Sequence, residues 1–247
     1  MTAKPRIMAI MQARMGSSRL PGKIIAEIAG RPMLNVIIDR LGRSKLMDEL
    51  VIASSERPAN QVVEDLAAKA GVRCFRGSED DVLDRFYQAA RLGKPDIIVR
   101  LTADNPCMNG EWMDFLIEQA LAGKWDYFAP SFQTHPHGVS AEIFPFACLE
   151  TMWKEATHPE EREHVTPFLY RRPDRFRVCW HESAENNSDL RLTVDTEDDL
   201  RLAREIFDHF GHDQFTWQEA AQAIRNHPEW RDLNRHVHQK IVSHRVQ

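Results

Sequence analysis

The sequence lacks the features that mark membrane, secreted and disulfide-stabilised proteins. No apolar run reaches the ~18 residues that a membrane-spanning helix needs. The four cysteines are widely spaced and form no C-x-x-C pair, which is typical of reduced thiols and not of a structural zinc site. Residues 1–11 contain no signal-peptide cleavage site. We therefore expect a cytoplasmic protein without a membrane partner.

The chain also lacks an excess of positive charge. Among its 247 residues, 32 Lys and Arg stand against 37 Asp and Glu, for a formal net charge of −5 at pH 7. Proteins that bind nucleic acid usually present a basic face, so we expect no nucleic-acid partner. A composition with 43% hydrophobic and 28% charged residues is that of a globular domain and excludes intrinsic disorder.

Short apolar runs alternate with amphipathic helical patterns through the first half of the chain. The runs at 7–11, 50–54, 73–75 and 97–101 have the length and composition of buried parallel strands. Between them, apolar residues recur three and four positions apart, as on the buried face of a helix. The third of these helices is predicted to start after Ser78. This order predicts an α/β fold built on a doubly wound, mostly parallel sheet.

Residues 127–182 contain two strand-like runs, at 142–146 and 175–180, around a charged helical segment rich in aromatic residues. Beyond them, residues 191–194 are predicted to form a strand that leads into a helix. Since no linker or repeat is visible, we expect a single domain over residues 1–247, with an inserted region at about 127–182. Aromatic residues of that region suggest a homodimer contact; they are Trp153, Phe168 and Tyr170.

The most informative segment is the loop of residues 12–23, QARMGSSRLPGK, directly after the first predicted strand. Ligands of open α/β sheets bind beyond the carboxyl ends of the strands, so a site is expected here. Arg14, Arg19 and Lys23 bring three positive charges within ten residues. Because guanidinium groups bind phosphate oxygens bidentately and a lysine acts as a point charge, the loop favours a triphosphate.

Glycines within this loop allow its backbone to approach a ligand closely. Gly16 is followed by Ser17, which offers both a hydroxyl and an amide. The loop is not a Walker A motif, because the interval from Gly16 to Gly22 is one residue too long and Ile24 stands in place of Ser or Thr. The alternative interpretation is a solvated basic loop with an incidental Pro-Gly turn.

Asp104 and Asp195 each follow a predicted strand, which would place them on the same rim as the loop. Triphosphate chemistry needs a divalent cation, and Mg²⁺ prefers carboxylate oxygens together with water and phosphate. The pair therefore predicts a magnesium site. The spacing alone supports a structural interpretation equally well, with Asp195 at a helix start and Asp104 in the turn before Pro106.

The loop resembles the signature of the SpsF-like, spore-coat-polysaccharide cytidylyltransferases, which belong with the acylneuraminate and 3-deoxy-manno-octulosonate cytidylyltransferases. The resemblance covers roughly residues 5–210. It implies a nucleotidyltransferase fold of the GT-A type. It also implies a Mg²⁺-dependent enzyme that transfers CMP from CTP to a small anionic, sugar-acid-type acceptor, in polysaccharide or glycoconjugate biosynthesis. Besides the loop, the segments that carry it are 31–34, 77–85, 100–106, 162–167 and 192–196.

Roles for individual residues are also implied by the resemblance. The three loop cations would act in catalysis, Asp104 and Asp195 would hold the metal, and the region at 127–182 would meet the acceptor. Asp81 has an alternative role as a helix-capping residue, and His164 as a packed histidine. The implied nucleotide-binding residues are Ala13, Gly16, Ser17, Ser54, Gly77, Asp81 and Thr102. The implied acceptor-binding residues are Glu142, Arg162, Glu163 and His164.

Ser140 departs from the pattern of the family, which usually carries an acidic residue at this position. The departure leaves the identity of the acceptor open. Two alternative functions remain: a nucleotidyltransferase that uses another base on a sugar phosphate, and a nucleotide-binding protein without catalytic activity. The presence of Lys23, Asp104 and Asp195 speaks against the second alternative, since a binding protein does not need both carboxylates.

Overall fold

The computed structural model of the protein describes residues 4–239, and strands and helices alternate in the first half of the chain as the sequence predicts. The predicted single domain of residues 1–247 thus extends at both ends beyond the described part. The four predicted strands of the first half are present, and each is one or two residues longer than expected. None of the described helices is long and apolar enough to cross a membrane.

The strands are β1 (Ile7–Gln12), β2 (Glu27–Ile28), β3 (Arg31–Pro32), β4 (Glu49–Ser55), β5 (Arg73–Gly77), β6 (Ile97–Thr102), β7 (Tyr127–Pro130), β8 (Glu142–Pro145) and β9 (Val178–His181). The helices are α1 (Met33–Leu41), α2 (Gln61–Lys69), α3 (Val82–Gly93), α4 (Gly110–Gly123), α5 (Phe146–Glu155), α6 (Pro159–His164), α7 (Pro167–Tyr170), α8 (Glu197–Phe210), α9 (Trp217–Asn226) and α10 (Pro228–Asn234).

Seven of the strands form one sheet in the order β5-β4-β1-β6-β8-β7-β9. The first four strands in this order run parallel to one another. β8 is antiparallel to both of its neighbours, and β9 is parallel to β7. With helices on both faces, this architecture confirms the predicted doubly wound, mostly parallel sheet.

The side chains of β1 alternate between two apolar layers. Ile7, Ala9 and Met11 belong to the layer that contains the buried faces of α1, α4, α8 and α9. Met8 and Ile10 belong to the opposite layer, which is covered by α3 and α5. Each of these five side chains is at most 1% exposed. Because successive residues of a strand point to opposite faces, a strand covered on both faces is apolar throughout.

The carboxyl ends of β1 and β6 lie side by side, with Gln12 paired to Thr102. From β1 the chain proceeds to β4 and β5 on one side of the sheet and then returns to β6 on the other side. Open α/β sheets bind their ligands at such a switch point, beyond the strand ends. The loop of residues 12–23 leaves β1 here, so the fold places the loop at the predicted rim.

Residues 127–182 add β7, β8 and β9 to the same sheet, together with α5, α6 and α7. The aromatic residues that suggested a contact between subunits pack within the chain. The Trp153 ring stacks on Tyr87 with 4.2 Å between the ring centroids, and Phe168 is buried against Phe176. Packing inside one chain is sufficient to explain these residues, and a homodimer stays a prediction.

Residues 191–194 do not form the predicted strand, and the chain bends at Thr193. One isolated bridge joins Arg191 to His137, and the next two N–H groups donate to the His137 carbonyl at 2.6 and 3.1 Å. On the other side, the Val194 N–H donates to the Asp104 carbonyl at 2.8 Å. The segment is therefore held between two loops in place of a strand ladder, and this fixes the chain just before α8.

The predicted boundaries of β8, β9 and α3 differ from the structure by one to three residues. α3 begins at Val82 and not directly after Ser78, because Asp81 is its N-cap and accepts the Asp84 N–H at 2.9 Å. β7 was not predicted, since four buried residues that end in proline show neither alternation nor a long apolar run.

Candidate active site

Lys23 lies at the centre of the rim, between the end of β6 and the start of α8. Gly22 adopts the left-handed conformation, with a φ of 72°, and turns the chain into a short 3₁₀ helix that starts at Lys23. The Lys23 ammonium donates to Asp104 at 2.9 Å, to Asp195 at 2.8 Å and to the Val194 carbonyl at 2.9 Å. Burial opposes the charge of this amine, but the two carboxylates outweigh burial and raise the pKa of Lys23.

Asp104 and Asp195 meet because their two segments are hydrogen-bonded through the main chain. The Val194 N–H and the Thr193 hydroxyl both donate to the Asp104 carbonyl, at 2.8 and 3.2 Å. Each carboxylate has an oxygen within 2.9 Å of Lys23 Nζ, so these two oxygens cannot be farther apart than twice that distance. The structure thus brings the two aspartates together at one rim, and their role as metal ligands stays a prediction.

Three cations surround Asp195. Its Oδ2 accepts from Arg19 at 2.8 Å and from Arg191 at 2.7 Å, while its Oδ1 accepts from Lys23. Burial by itself would raise the pKa of this carboxyl group, but Lys23, Arg19 and Arg191 outweigh burial and lower the pKa. Asp195 is therefore ionised at neutral pH, which is the state in which a carboxylate binds a cation.

Asp104 is oriented from the β6 side. The Thr102 hydroxyl donates to its carboxylate at 2.6 Å, and the Asn105 amide in turn donates to Thr102 at 3.0 Å. Thr102, predicted to bind the nucleotide, therefore lies beside Asp104 and helps to position it. Asn105 was not predicted to take part, and the one signal in the sequence is its place next to Asp104.

The loop of residues 12–23 is anchored by Asn60, which sequence reasoning missed. The side-chain carbonyl of Asn60 accepts the Met15 N–H at 2.7 Å, and its amide donates to Ser55 at 2.5 Å. Asn60 is 2% exposed, so these hydrogen bonds are shielded from water. No motif marks Asn60, because its role depends on the contact between the loop and the turn before α2.

Arg14 differs from the other two cations of the loop. It pairs with Glu79 at 3.0 Å, whereas Arg19 and Lys23 contact Asp195. Arg14 lines two cavities. One, the loop cavity, lies between the loop and the two aspartates; the other, the cleft in front of α3, lies between α6 and the start of α3. The three predicted catalytic cations are therefore divided: two lie at the aspartates, and Arg14 lies between the loop cavity and the cleft in front of α3.

The predicted nucleotide-binding residues also fall into two groups. Four of them line the cavity between the loop and the two aspartates, and three lie outside its lining. Ser54 is fully buried in β4, a Cβ on Gly77 would come within 2.9 Å of the Phe75 ring, and Asp81 caps α3. A Cβ on Gly16 would meet no atom within 4 Å, so the space in front of the loop is open to a ligand. The four residues that line the cavity are Ala13, Gly16, Ser17 and Thr102.

A second cavity adjoins the first and shares Asp104 and Asp195 with it. Glu142 and His164, two of the predicted acceptor-binding residues, line this second cavity. Glu142 is 2% exposed and forms an ion pair with Arg100. It also accepts hydrogen bonds from two neighbouring hydroxyls at 2.8 Å each, those of Tyr127 and Thr166. Glu142 is therefore engaged by its protein neighbours.

Arg162 and Glu163 lie elsewhere, in the cleft in front of α3. The Arg162 guanidinium pairs with Asp81 and donates to the Trp153 carbonyl at 2.9 Å. The structure thus does not bring Arg162 and Glu163 together with Glu142 and His164. The physical reason is that α6 packs against α3, so the α6 residues Arg162 and Glu163 lie away from the aspartates.

The described residues contain no group of three or more His, Cys, Asp and Glu side chains placed to hold a metal ion. Mg²⁺ is commonly bound through one or two carboxylates, with phosphate oxygens and water as the remaining ligands. The pair of Asp104 and Asp195 satisfies that requirement, because two carboxylate oxygens already converge on one cation, the Lys23 ammonium.

Comparison with known proteins identifies the family of the chain. A family model described as Cytidylyltransferase matches residues 8–226. The spore coat polysaccharide biosynthesis protein SpsF of Bacillus subtilis is 34% identical over 212 residues, which cover 83% of this chain and 88% of that protein. Both matches confirm the resemblance that the motifs indicate.

Solved structures lead to the same family. A cytidylyltransferase from Leptospira borgpetersenii has a TM-score of 0.89 at 31% identity, over 96% of this chain and 99% of that one. The CMP:2-keto-3-deoxy-manno-octonic acid synthetase complexed with CTP has a TM-score of 0.62 at 17% identity, over 83% and 99%, and shares the fold. The chain therefore belongs to the cytidylyltransferase family of CTP-dependent nucleotidyltransferases.

Proposed function

We propose that the protein is a magnesium-dependent cytidylyltransferase that transfers CMP from CTP to a small sugar acid and releases pyrophosphate, in polysaccharide or glycoconjugate biosynthesis. The observation that carries the proposal is the convergence of Lys23, Asp104 and Asp195 at one point of the rim. A basic loop and a pair of carboxylates meet where a parallel sheet binds its ligand. This is the combination that a metal-bound triphosphate requires.

The two aspartates are the residues that would hold the metal. Their oxygens are hard ligands, and the Lys23 ammonium between them supports a cation at this position. Because these two oxygens already share one ammonium group, they are close enough together to hold one divalent cation. When bound, Mg²⁺ neutralises charge on the triphosphate oxygens.

The chain's own residues supply the remaining electrostatic stabilisation. Lys23 and Arg19, released from the aspartates, are expected to bind triphosphate oxygens as a point charge and a bidentate fork. An acceptor oxygen attacks the α-phosphorus in line, a new P–O bond forms, and the bond to the leaving pyrophosphate breaks. Preorganised cations lower the barrier because they face the negative charge of the transition state. This direct displacement needs no covalent enzyme intermediate.

The second cavity is the proposed acceptor pocket. It shares Asp104 and Asp195 with the loop cavity, so an acceptor there would lie next to the α-phosphate. Arg100 in its lining is neutralised by Glu142, but Arg19 and a cation bound between the two aspartates would supply positive charge, which supports an anionic acceptor. The carboxylate of a sugar acid would supply that negative charge.

Pyrophosphate release provides the test. The protein is incubated with CTP, UTP, GTP or ATP, with nonulosonic and octulosonic acids or sugar phosphates, and with Mg²⁺ or EDTA. We expect release with CTP, a sugar acid and Mg²⁺ together. Equal release with all four nucleotides would overturn the choice of cytidine, and release with sugar phosphates alone would overturn the acceptor class.

Thermal denaturation offers a check that does not depend on the acceptor. A ligand that binds only the native state, and is present at a concentration of 100 times its Kd, stabilises that state by ~2.7 kcal/mol. In the presence of Mg²⁺, CTP is expected to raise the melting temperature more than UTP, GTP or ATP do. Equal shifts would leave a triphosphate site but remove the preference for cytosine.

A further inference from the structure

The family match ends at residue 226, but the described chain continues to Gln239 and returns to the site. We call residues 227–239 the C-terminal segment. It is anchored by α10, in which Trp230 is 9% exposed and Asn234 is 4% exposed. A buried asparagine side chain must find hydrogen-bond partners, because a buried amide without partners destabilises the fold. The partners of Asn234 lead directly towards Asp195.

Asn234 joins two residues that come just before and just after Asp195. Its amide nitrogen donates to the Arg191 carbonyl at 3.0 Å and to Asp199 Oδ1 at 2.9 Å. Asp199 in turn accepts the N–H groups of Asp195 and Thr196 at 3.0 Å each. Asn234 therefore ties the two ends of the turn that carries Asp195.

Arg191 connects this turn to the Asp195 side chain. Its Nε donates to Asp199 at 2.9 Å, and its Nη2 donates to Asp195 at 2.7 Å. Its Nη1 donates to the side-chain carbonyl of Gln239. The guanidinium is thus held at Nε by the Asp199 carboxylate and at Nη1 by the neutral Gln239 amide, and its third partner is Asp195.

Gln239 also lines the second cavity, together with Asp104 and Asp195. Its neutral charge matters here. A carboxylate at this position would attract Nη1 strongly and draw the guanidinium towards the C-terminal segment and away from Asp195. The amide holds the guanidinium in place without drawing it away, so Arg191 remains available to Asp195.

We infer that Asn234 and Gln239 are positioning residues, which orient Arg191 and thereby hold the Asp195 carboxylate in the geometry of a metal ligand. The inference rests on the proposed function, since it takes Asp195 to bind Mg²⁺. Partners that orient a metal ligand typically contribute 10- to 100-fold to metal affinity or activity. The C-terminal segment is therefore part of the working site, although it lies beyond the family match.

The test measures Mn²⁺ affinity by electron paramagnetic resonance in the presence of CTP, together with kcat and KM, on the full chain. Gln239→Glu and Asn234→Ala are expected to weaken Mn²⁺ binding by about tenfold and to lower kcat, while the KM for CTP at saturating Mg²⁺ changes little. Gln222→Glu is the matched control for charge, because Gln222 is exposed on α9. It should behave as wild type.

Two results would overturn the inference or the function on which it rests. If Asp195→Asn abolishes Mn²⁺ binding while Gln239→Glu binds Mn²⁺ and turns over as Gln222→Glu does, the positioning role is wrong and the metal site stands. If Asp195→Asn itself retains wild-type Mn²⁺ affinity, the proposed metal site is wrong. Gln239→Glu keeps the test decisive should Asn234→Ala fail to fold.

Discussion

At the loop side of the rim, Lys23 joins Asp104 and Asp195 in a cleft, and the three side chains are 12%, 23% and 14% exposed. At the far side, Arg100 and Glu142 form a pair in which the Glu142 side chain is 3% exposed. Both arrangements neutralise charge, but they differ in what can replace a partner. In the proposed function, a triphosphate would take the place of the aspartates at Lys23, and a cation would take the place of Lys23 at the aspartates. Separation of the buried pair would instead leave a charge without water or ligand.

The comparison divides the predicted site into exchangeable and fixed ion pairs. The exchangeable pairs are suited to binding, because each ion has a ligand that can substitute for its partner. The fixed pair joins β6 and β8 at the wall of the second cavity. The following predictions test this division, from the largest expected effect to the smallest.

Replacement of Asp104 or Asp195 by Asn should have the largest effect. Each change preserves shape but removes a full negative charge, so we expect kcat/KM for CTP to fall by about 10³-fold while the protein still folds. Steady-state pyrophosphate release and circular dichroism would measure the two properties. Asp208→Asn, on the exposed side of α8, serves as the control. Near-normal turnover in Asp195→Asn would return this residue to the structural interpretation.

Lys23→Ala should lower kcat/KM by about 10²-fold, because one preorganised charge near the transferred phosphoryl group is typically worth ~3 kcal/mol. The matched control is Lys69→Ala at the exposed end of α2, which should leave turnover unchanged. Lys23→Ala should also strengthen Mn²⁺ binding in the absence of nucleotide, since this change removes the cation between the two aspartates. Weaker Mn²⁺ binding to Lys23→Ala would contradict the view that Lys23 and the metal exchange places.

Glu142→Gln should affect stability more than it affects the acceptor. The change weakens a buried hydrogen bond between charged groups, and we expect the free energy of unfolding to fall by about 2 kcal/mol. Urea denaturation would measure this loss, and the KM for the acceptor should stay within about twofold of the wild-type value. A stable variant with a strongly raised KM for the acceptor would move Glu142 from the fixed pair to the binding residues.

The smallest effect concerns pH. The pKa of Asp195 is lowered from its ordinary value of 3.8, so its ionised form stabilises the fold fully above that value. This contribution is lost as the pH falls through the lower pKa of the folded state. The pKa of Lys23 is raised above 10.5, so its contribution is complete below that value. The difference in unfolding free energy between wild type and Asp195→Asn should therefore be constant from about pH 5 to about pH 9 and shrink below about pH 4.

The exchangeable half of the site could be predicted from the sequence. Lys23 belongs to a loop after an apolar strand, and Asp104 follows another apolar strand. In a parallel sheet both strand ends must lie at the same rim, so the topology alone brings these residues together. Asp195 lies at the predicted rim although residues 191–194 are not a strand, because the Val194 N–H is hydrogen-bonded to the Asp104 carbonyl.

The remaining parts depend on contacts between distant elements and leave no local pattern. Arg162 and Glu163 lie in another cleft because α6 packs on α3, and no spacing rule describes that contact. Asn60 and Asn234 are ordinary polar residues in the sequence, and their roles appear only when the loop and α10 are in place. A resemblance assigns residues to a site, but helix packing decides which cavity each one reaches.

The hydrogen bond from the Val194 N–H to the Asp104 carbonyl sets the separation of the two aspartates through the main chain. An amide proton exchanges with solvent when its hydrogen bond opens, either locally or in global unfolding. The exchange rate at Val194 therefore reports how often the two halves of the site come apart. A ligand that engages both aspartates would slow deuterium uptake at this amide, which makes a single main-chain proton a reporter of site assembly in solution.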